Sequence, residues 1–373
     1  MLITLVIFVV ILGVLIFIHE LGHFVSARIF GVRVEEFGFG FPPRIIGRRK
    51  GDTIYSINWI PFGGFVRLKG EQPGSSIEPD SFSAQKPWRR AIILSAGVIM
   101  NTVLACLLLS FVFVRGVPSL VDHQMIEPGG QIRESYVRVV DVLDNSPAQS
   151  ADLRSGDLLI ELDGQSVNKT SDINSITNRL TDRSALLKYS RDGTTNTVTV
   201  QPRILDDSNE LKLGVSIIDY GLVSYPWYRS MWLGVKYSGI ILGQIFVSLF
   251  DLVKNLFVHG QVSADLSGPI GIAVVTGQVA DLGIIYLIQF AALLSLSLAV
   301  MNILPIPALD GGRLLFVAIE KVRGRPVSQR IEGLVHSIGF YLLLILIVVV
   351  SYRDVIRFNL DQYIREFIQR ITT

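Results

Sequence analysis

An almost unbroken apolar run over residues 2–18 ends in His19-Glu20-Leu21-Gly22-His23, and that junction narrows sharply what the chain can fold into. A run of this length reads as a membrane helix, continuing to about Phe30. Positions i and i+4 share one helix face, so both imidazoles reach a common point while Glu20 stands beside them. Three ionisable side chains on such a helix cost several kcal/mol unless something compensates them. A divalent metal held by the histidines is that compensation, and the HExxH spacing is the one used by hydrolytic zinc sites.

Half of the 373 residues are apolar and only 18% are charged, with the charges gathered in a few hydrophilic blocks, as expected for a membrane protein carrying a soluble module. A net charge of +2 gives no basis for a nucleic-acid partner. Cys106 is alone in an apolar stretch, which excludes an intrachain disulfide and leaves packing as its role. Residues 91–114 and 284–304 carry no charge and residues 334–350 carry only His336, which makes four spans with the first. The opening run lacks a basic n-region and a small-residue cleavage site, and its removal would discard the HExxH motif, so it reads as retained.

Between Arg28 and Arg90 there are eleven Lys and Arg against six acidic residues, which places that block on the cytoplasmic side. The loop from Arg313 to Arg330 is also basic, whereas residues 115–229 hold more acids than bases; both termini then face outward. Residues 231–257 are apolar too, but Lys236, Gln244, Asp251 and Lys254 interrupt them. Were they a crossing, a ligand carried just after residues 284–304 would emerge on the wrong face to meet the histidines. They are expected to form an amphipathic outer segment, with Trp232, Ile240, Phe246 and Phe250 along the bilayer boundary.

Catalytic zinc takes a third protein ligand and keeps a place for water. Asp310 is the best candidate, in Asn302-Ile303-Leu304-Pro305-Ile306-Pro307-Ala308-Leu309-Asp310-Gly311-Gly312, where two prolines interrupt the helix. The plainer alternative is an interfacial turn in which Asp310 caps the next helix. Asn101 and Asn302 are amides in otherwise apolar spans and need partners, either across helices or, functionally, on substrate backbone or a tetrahedral oxyanion. Gly97, four residues before Asn101, permits close helix approach; neither is expected to be catalytic. His123, His259 and His336 are expected to be structural, with His336 interfacial.

The HELGH motif, Gly97-Val98-Ile99-Met100-Asn101 and the Asn302 to Gly312 segment together resemble the signature motifs of site-2 proteases, the intramembrane zinc metalloproteases. Ser267-Gly268-Pro269-Ile270-Gly271 and Gly324-Arg325-Pro326 extend the resemblance to the bacterial RseP-type branch, which carries a PDZ module. The resemblance covers nearly the whole chain. It implies that transmembrane helices enclose one Zn2+ ion, that Asp310 is the third ligand beside His19 and His23, that Glu20 is the general base, and that Asn302 faces substrate.

Residues 53–59 and 65–68 read as strands around Pro61-Phe62-Gly63-Gly64. This block looks like the family's membrane-associated β-loop, able to hold an unwound substrate segment by strand addition, with Ile57, Asn58 and Trp59 as candidate contacts; the plainer reading is a structural hairpin. Further on, strands at 136–143, 185–190 and 197–201, an Asp163-Gly164 turn and a helix over 171–180 follow the order of a PDZ domain. Asp152-Leu153 stands where such domains often have Gly-Leu, and no Gly-Leu-Gly-Phe loop is evident near residues 132–139. The module reads as a size gate for substrates, or else as a spacer or partner-binding unit.

The expected fold is a polytopic α-helical membrane protein of four transmembrane helices, with a cytoplasmic-side β-loop and an inserted extracytoplasmic PDZ-like α+β domain. The segments run 1–30 (first span), 31–90 (cytoplasmic-side loop), 91–114 (second span), 115–220 (PDZ-like domain), 221–283 (outer amphipathic segment), 284–312 (third span with the LDG motif), 313–333 (cytoplasmic loop), 334–352 (fourth span) and 353–373 (outer tail). The expected activity is zinc-dependent endoproteolysis within or near the transmembrane segments of single-span proteins, such as anti-sigma factors or remnant signal peptides, in a bacterial inner membrane. Partners would be those substrates, the lipid bilayer, and peptides or ectodomain stubs at the PDZ module. The alternatives are a noncatalytic PDZ-bearing membrane adaptor and, more weakly, a zinc transporter, for which the spans show no second polar pathway.

Overall fold

The apolar run forms one continuous helix, α1 (Leu2–Ile29), in a computed structural model that describes residues 2–71, 78–120, 126–180, 183–191, 193–204, 211–259, 267–325 and 327–358. It stops at Gly31, whose φ of +75° suits glycine, with Val32 N–H bonded to Ala27 O at 2.8 Å and Gly31 N–H to Arg28 O at 3.2 Å. Two long strands follow, β1 (Val34–Lys50) and β2 (Thr53–Leu68). Each pairs twice: Glu36 is opposite both Arg67 and Ile54, and Ile57 is opposite both Phe39 and Ile46. Residues 34–41 therefore lie between 64–68 and 53–60, with 44–50 beyond, so the expected hairpin is a sheet of four runs. It packs on α1 through Phe37, whose ring is 5.2 Å from Phe17 and 4.7 Å from Phe24. Buried Glu36 is held by Arg44 and Arg67, each at 2.6 Å.

Helix α2 (Pro87–Arg115) opens with a proline in its first turn, where the missing amide is no loss. Its approach to α1 is backbone-close: a Cβ on Gly22 would come within 2.4 Å of Ala96 O. The chain divides here into two units, Met1–Ser110 with Met231–Thr373, and Phe111–Ser230.

The second unit is built from β3 (Val117–Leu120), β4 (Gln131–Val142), α3 (Pro147–Ser150), β5 (Leu158–Leu162), β6 (Gln165–Ser166), α4 (Thr170–Thr177), β7 (Ala185–Arg191), β8 (Thr194–Val200), β9 (Arg203–Ile204), β10 (Leu211–Lys212) and β11 (Val215–Ser224). Its main sheet has the order β3-β11-β4-β5-β7-β8, with β6 on β5. Val137, Leu159, Leu162, Ile173, Ile176 and Leu187 fill the core. Asp163 and Gly164, at φ +51° and +77°, make the tight turn between β5 and β6. Asp152 has φ +55°, which accounts for glycine being common at its position, and its carboxylate takes Arg154 and Arg191. Residues 215–219 of β11 pair with β4 on one side only among the described residues, beside α4.

In the first unit the chain continues through α5 (Trp227–His259), α6 (Pro269–Leu282), α7 (Ile284–Ile303), α8 (Asp310–Arg323) and α9 (Gln329–Arg357). Five helices are long and apolar enough to cross a membrane, α1, α2, α5, α7 and α9, one more than the four spans expected from the sequence. The addition is α5, because its charges are spaced widely enough to leave a long apolar window. Helix α7 ends at Ile303, just before Pro305 and Pro307, as the prolines require. Helix α8 begins at Asp310 itself, with no side-chain cap, so the capping alternative for Asp310 is not what the structure holds. Residues 359–373 of the expected outer tail, Pro326 and His123 lie outside the described residues.

Asp354, buried near the end of α9, caps α6 from outside: its Oδ2 accepts the amides of Gly268 at 2.9 Å and Gly271 at 2.7 Å. Replacing Asp354 by Ala strips both amides of their acceptor and is expected to cost about 1–3 kcal/mol, read as a lowered thermal midpoint of the detergent-solubilised protein.

Candidate metal centre and active site

His19 and His23 lie one turn apart on the face of α1 that meets α2, and both are buried. The loop after α7 brings Asp310 to them from 291 residues away in sequence: its Oδ2 is 2.9 Å from His19 Nε2 and 3.3 Å from His23 Nε2, and the two nitrogens are 3.2 Å apart. At the usual zinc to nitrogen or oxygen distance, the corners of a tetrahedron are about 3.3 Å apart. The three donor atoms thus fit one ion and leave a corner for water. Among the described residues they form the one cluster of His, Cys, Asp and Glu side chains suited to a metal.

The surroundings prepare both rings. His23 Nδ1–H donates to Ile93 O at 2.8 Å, which leaves its Nε2 lone pair free for a cation. The fully buried Asn101 side chain lies 3.4 Å from His19 Nδ1. The near atom is Nδ2; with His19 Nε2 given to a metal, Nδ1 carries the proton, and the amide turned through 180° would present Oδ1 to accept it. Gly97 faces the donor atoms directly: a Cβ there would come within 2.6 Å of Nε2 of both histidines. The space that hydrogen leaves open is the place a metal needs.

Glu20 lines a cavity of 480 Å³ that His23 and Asp310 also line. Its Oε2 accepts the Val66 amide of β2 at 3.1 Å. Residues 64–68, an edge run of the sheet, form one wall of that cavity. Glu71 and Arg313 form a close ion pair in the same wall. Burial works against the Arg313 charge, but the carboxylates of Glu71 and Asp310 more than offset it and hold the guanidinium protonated.

The other sequence candidates fall elsewhere. Ile57, Asn58 and Trp59 sit in an interior run whose backbone pairs on both sides: Ile57 and Trp59 project outward, and Asn58 Nδ2 bonds Gly40 O at 2.8 Å. Asn302 is half-buried near the end of α7 and does not line the cavity.

The model described as peptidase family M50 matches residues 7–346. The chain belongs to peptidase family M50. As a member of this site-2 protease family it is a membrane metalloprotease, and its relatives' names carry zinc. The regulator of sigma-W protease RasP of Bacillus subtilis is 30% identical over 436 residues, covering 95% of this chain and 98% of that protein. A candidate zinc metalloprotease of Fusobacterium nucleatum is 35% identical over 357 residues, covering 94% of this chain and 98% of that one. Among solved structures, the PDZ domain of the SdrC-like protein of Listeria monocytogenes is similar at 20% identity and a TM-score of 0.21, over 22% of this chain and 85% of that chain.

Sequence reading missed Val66, Glu71, Arg313 and His336 in this M50 site. Arg313 was within reach, since it follows Asp310 by three positions and shares its helix face. Val66 acts through its backbone, and Glu71 and His336 arrive through tertiary packing, which no local pattern encodes.

Gly97→Ala is expected to lower bound zinc at least about tenfold, measured by elemental analysis of purified protein with its helix content unchanged. Asn101→Ala removes only an orienting bond and should weaken zinc by about tenfold at most while leaving the site formed.

Proposed function

We propose that the chain is a single-zinc intramembrane endopeptidase that cuts within or near the transmembrane segments of single-span proteins, in regulated intramembrane proteolysis at a bacterial inner membrane. The observation that carries this reading is the convergence of His19, His23 and Asp310 beside Glu20 and a strand edge that pairs on one side only among the described residues. The sigma-W regulator name of the Bacillus relative favours anti-sigma factors as one substrate class, with remnant signal peptides as another.

Bound to His19, His23 and Asp310, zinc would supply Lewis acidity toward the scissile carbonyl and the attacking water. Glu20, steadied by the Val66 amide, takes the proton from that water and hands it to the leaving amine nitrogen. A transmembrane helix hides its carbonyls in internal hydrogen bonds, so the scissile segment must be extended before attack. The edge at residues 64–68 offers replacement backbone bonds next to Glu20, which makes it the better strand-addition site than Ile57, Asn58 and Trp59.

Four of the five apolar helices cross in this reading, and helix contacts support leaving α5 out. Gly234, near the start of α5, packs on Cys106 and Ser110 toward the end of α2, while Gly268 and Gly271 pack on Asp354 toward the end of α9. Gly277 of α6 meets Thr4 at the start of α1. With α1, α2, α7 and α9 as crossings, these three places share one membrane face, so the chain enters and leaves α5 on the same side. The Lys and Arg bias makes that side extracytoplasmic and puts the β1–β2 sheet on the cytoplasmic side. The second unit then lies outside, where the one-sided pairing of residues 215–219 beside α4 suits an extended peptide or ectodomain stub.

Glu20→Gln is expected to lower cleavage of a single-span substrate by about 10²–10⁴-fold while zinc stays bound, measured by reconstituted proteolysis with metal analysis in parallel. Cleavage at the wild-type rate would end the assignment of Glu20 as base.

A further inference from the structure

The loop that presents Asp310 is tied to α9 through its one outward-facing amide. Residues 304–309 include Pro305 and Pro307, which have no N–H to give. Leu304 N–H bonds Met301 O at 3.3 Å, Ile306 N–H bonds Leu304 O at 2.7 Å, and Leu309 N–H bonds Ile306 O at 3.2 Å. Ala308 alone turns its amide outward, and it donates to His336 Nδ1 at 2.8 Å. Ala308 also has φ +75°, a left-handed conformation that is unfavourable for a residue with a Cβ and lasts only where its surroundings hold it.

His336 is well placed to do the holding. Its ring lies 5.5 Å from that of Phe316 in α8, and it lines the cavity shared with Glu20, His23 and Asp310. One turn along α9, Gly339 packs so tightly on the loop that a Cβ there would come within 2.4 Å of Pro307 Cβ. Two consecutive loop residues, Pro307 and Ala308, are therefore fixed by α9 just ahead of Leu309 and Asp310. Because Nδ1 accepts, the neutral ring carries its proton on Nε2, which is buried without a partner among the described residues. A donor left unsatisfied is costly, so the ring orientation is set by the Ala308 bond rather than by Nε2.

We infer that His336 is a positioning residue for the metal centre: by accepting the Ala308 amide it holds the loop that sets Asp310 opposite the two imidazoles. This rests on the reading of Asp310 as a zinc ligand. Releasing Ala308 lets it leave the left-handed region, and a rotation two residues before Asp310 moves the carboxylate out of coordination reach.

The test compares full-length His336→Phe and His336→Gln in detergent, with zinc affinity read by competition against a chromogenic chelator and coordination read from the visible spectrum of the cobalt-substituted protein. Phenylalanine keeps a ring against Phe316 but cannot accept, whereas the glutamine Oε1 can. His336→Phe should bind zinc about 10–100-fold more weakly with an altered cobalt spectrum, and His336→Gln should stay within about threefold of wild type. Wild-type affinity and spectrum in His336→Phe would overturn the inference, as would equal weakening in both variants, which would assign the effect to ring packing. Should His336→Phe fail to fold, Gly339→Ala, which pushes α9 off Pro307 with His336 intact, must weaken zinc in the same way; an unchanged affinity there also overturns it. Wild-type protein that binds no zinc would overturn the metal reading first, and this inference with it.

Discussion

Two imidazole nitrogens and a carboxylate oxygen, all within 3.3 Å of one another in a buried site, turn electron-rich atoms toward a common point. Lone pairs in that arrangement repel unless a cation or shared protons sit among them, and the low-dielectric surroundings amplify the cost. Much of the first unit can be read as a device for tolerating this one cluster. Gly22 lets α2 approach α1 at backbone contact, Gly97 leaves the volume an ion requires, and the carbonyl of Ile93 fixes the His23 tautomer. Gly311 and Gly312 do the same for the loop: a Cβ on either would collide with the carbonyls of Leu304 or Ile306. A larger residue at any of these positions would separate the ligands before it disturbed the helices.

The same cluster explains why a small sheet is folded against α1. A carboxylate one residue from the first ligand needs a donor that leaves it free to exchange a proton, and a single backbone amide from Val66 fits that need. The amide belongs to an edge run, so the group that steadies Glu20 also lies along the row of backbone bonds available to an extended chain. In the proposed reading, proton transfer and backbone capture would share one cavity, walled on its other sides by the Asp310 loop and by α9. Of the long helices, α9 is sparsely packed, with Leu342, Leu346 and Val348 exposed on its flanks, and it is anchored at His336 and Gly339 near one end and Asp354 near the other.

What could be read from sequence was whatever a local rule encodes. The HExxH helix, the break at Pro305 and Pro307, the Asp163-Gly164 turn and the buried stripe of Ile173, Ile176 and Leu180 follow from periodicity, proline chemistry and turn preference. Gly97 was read as a close-packing residue, although only the three-dimensional arrangement shows that its missing side chain opens onto the donor atoms. The β-loop was read as one hairpin because double pairing of a strand has no sequence signature; as a result Ile57, Asn58 and Trp59 were favoured over the edge at residues 64–68. His336 looked like an interfacial residue on an apolar helix, since its partner is a loop amide 28 positions away. Composition alone cannot separate α5 from a crossing helix, because its few charges leave a long apolar window.

Zinc K-edge X-ray absorption of the purified wild-type protein and of Asp310→Ala tests the central claim most directly. The account predicts two imidazole ligands and oxygen ligands at about 2.0–2.2 Å in the wild type, with loss of an oxygen contribution or of the metal itself in Asp310→Ala. A wild-type spectrum without histidine scattering, or one that Asp310→Ala leaves unchanged, would contradict it.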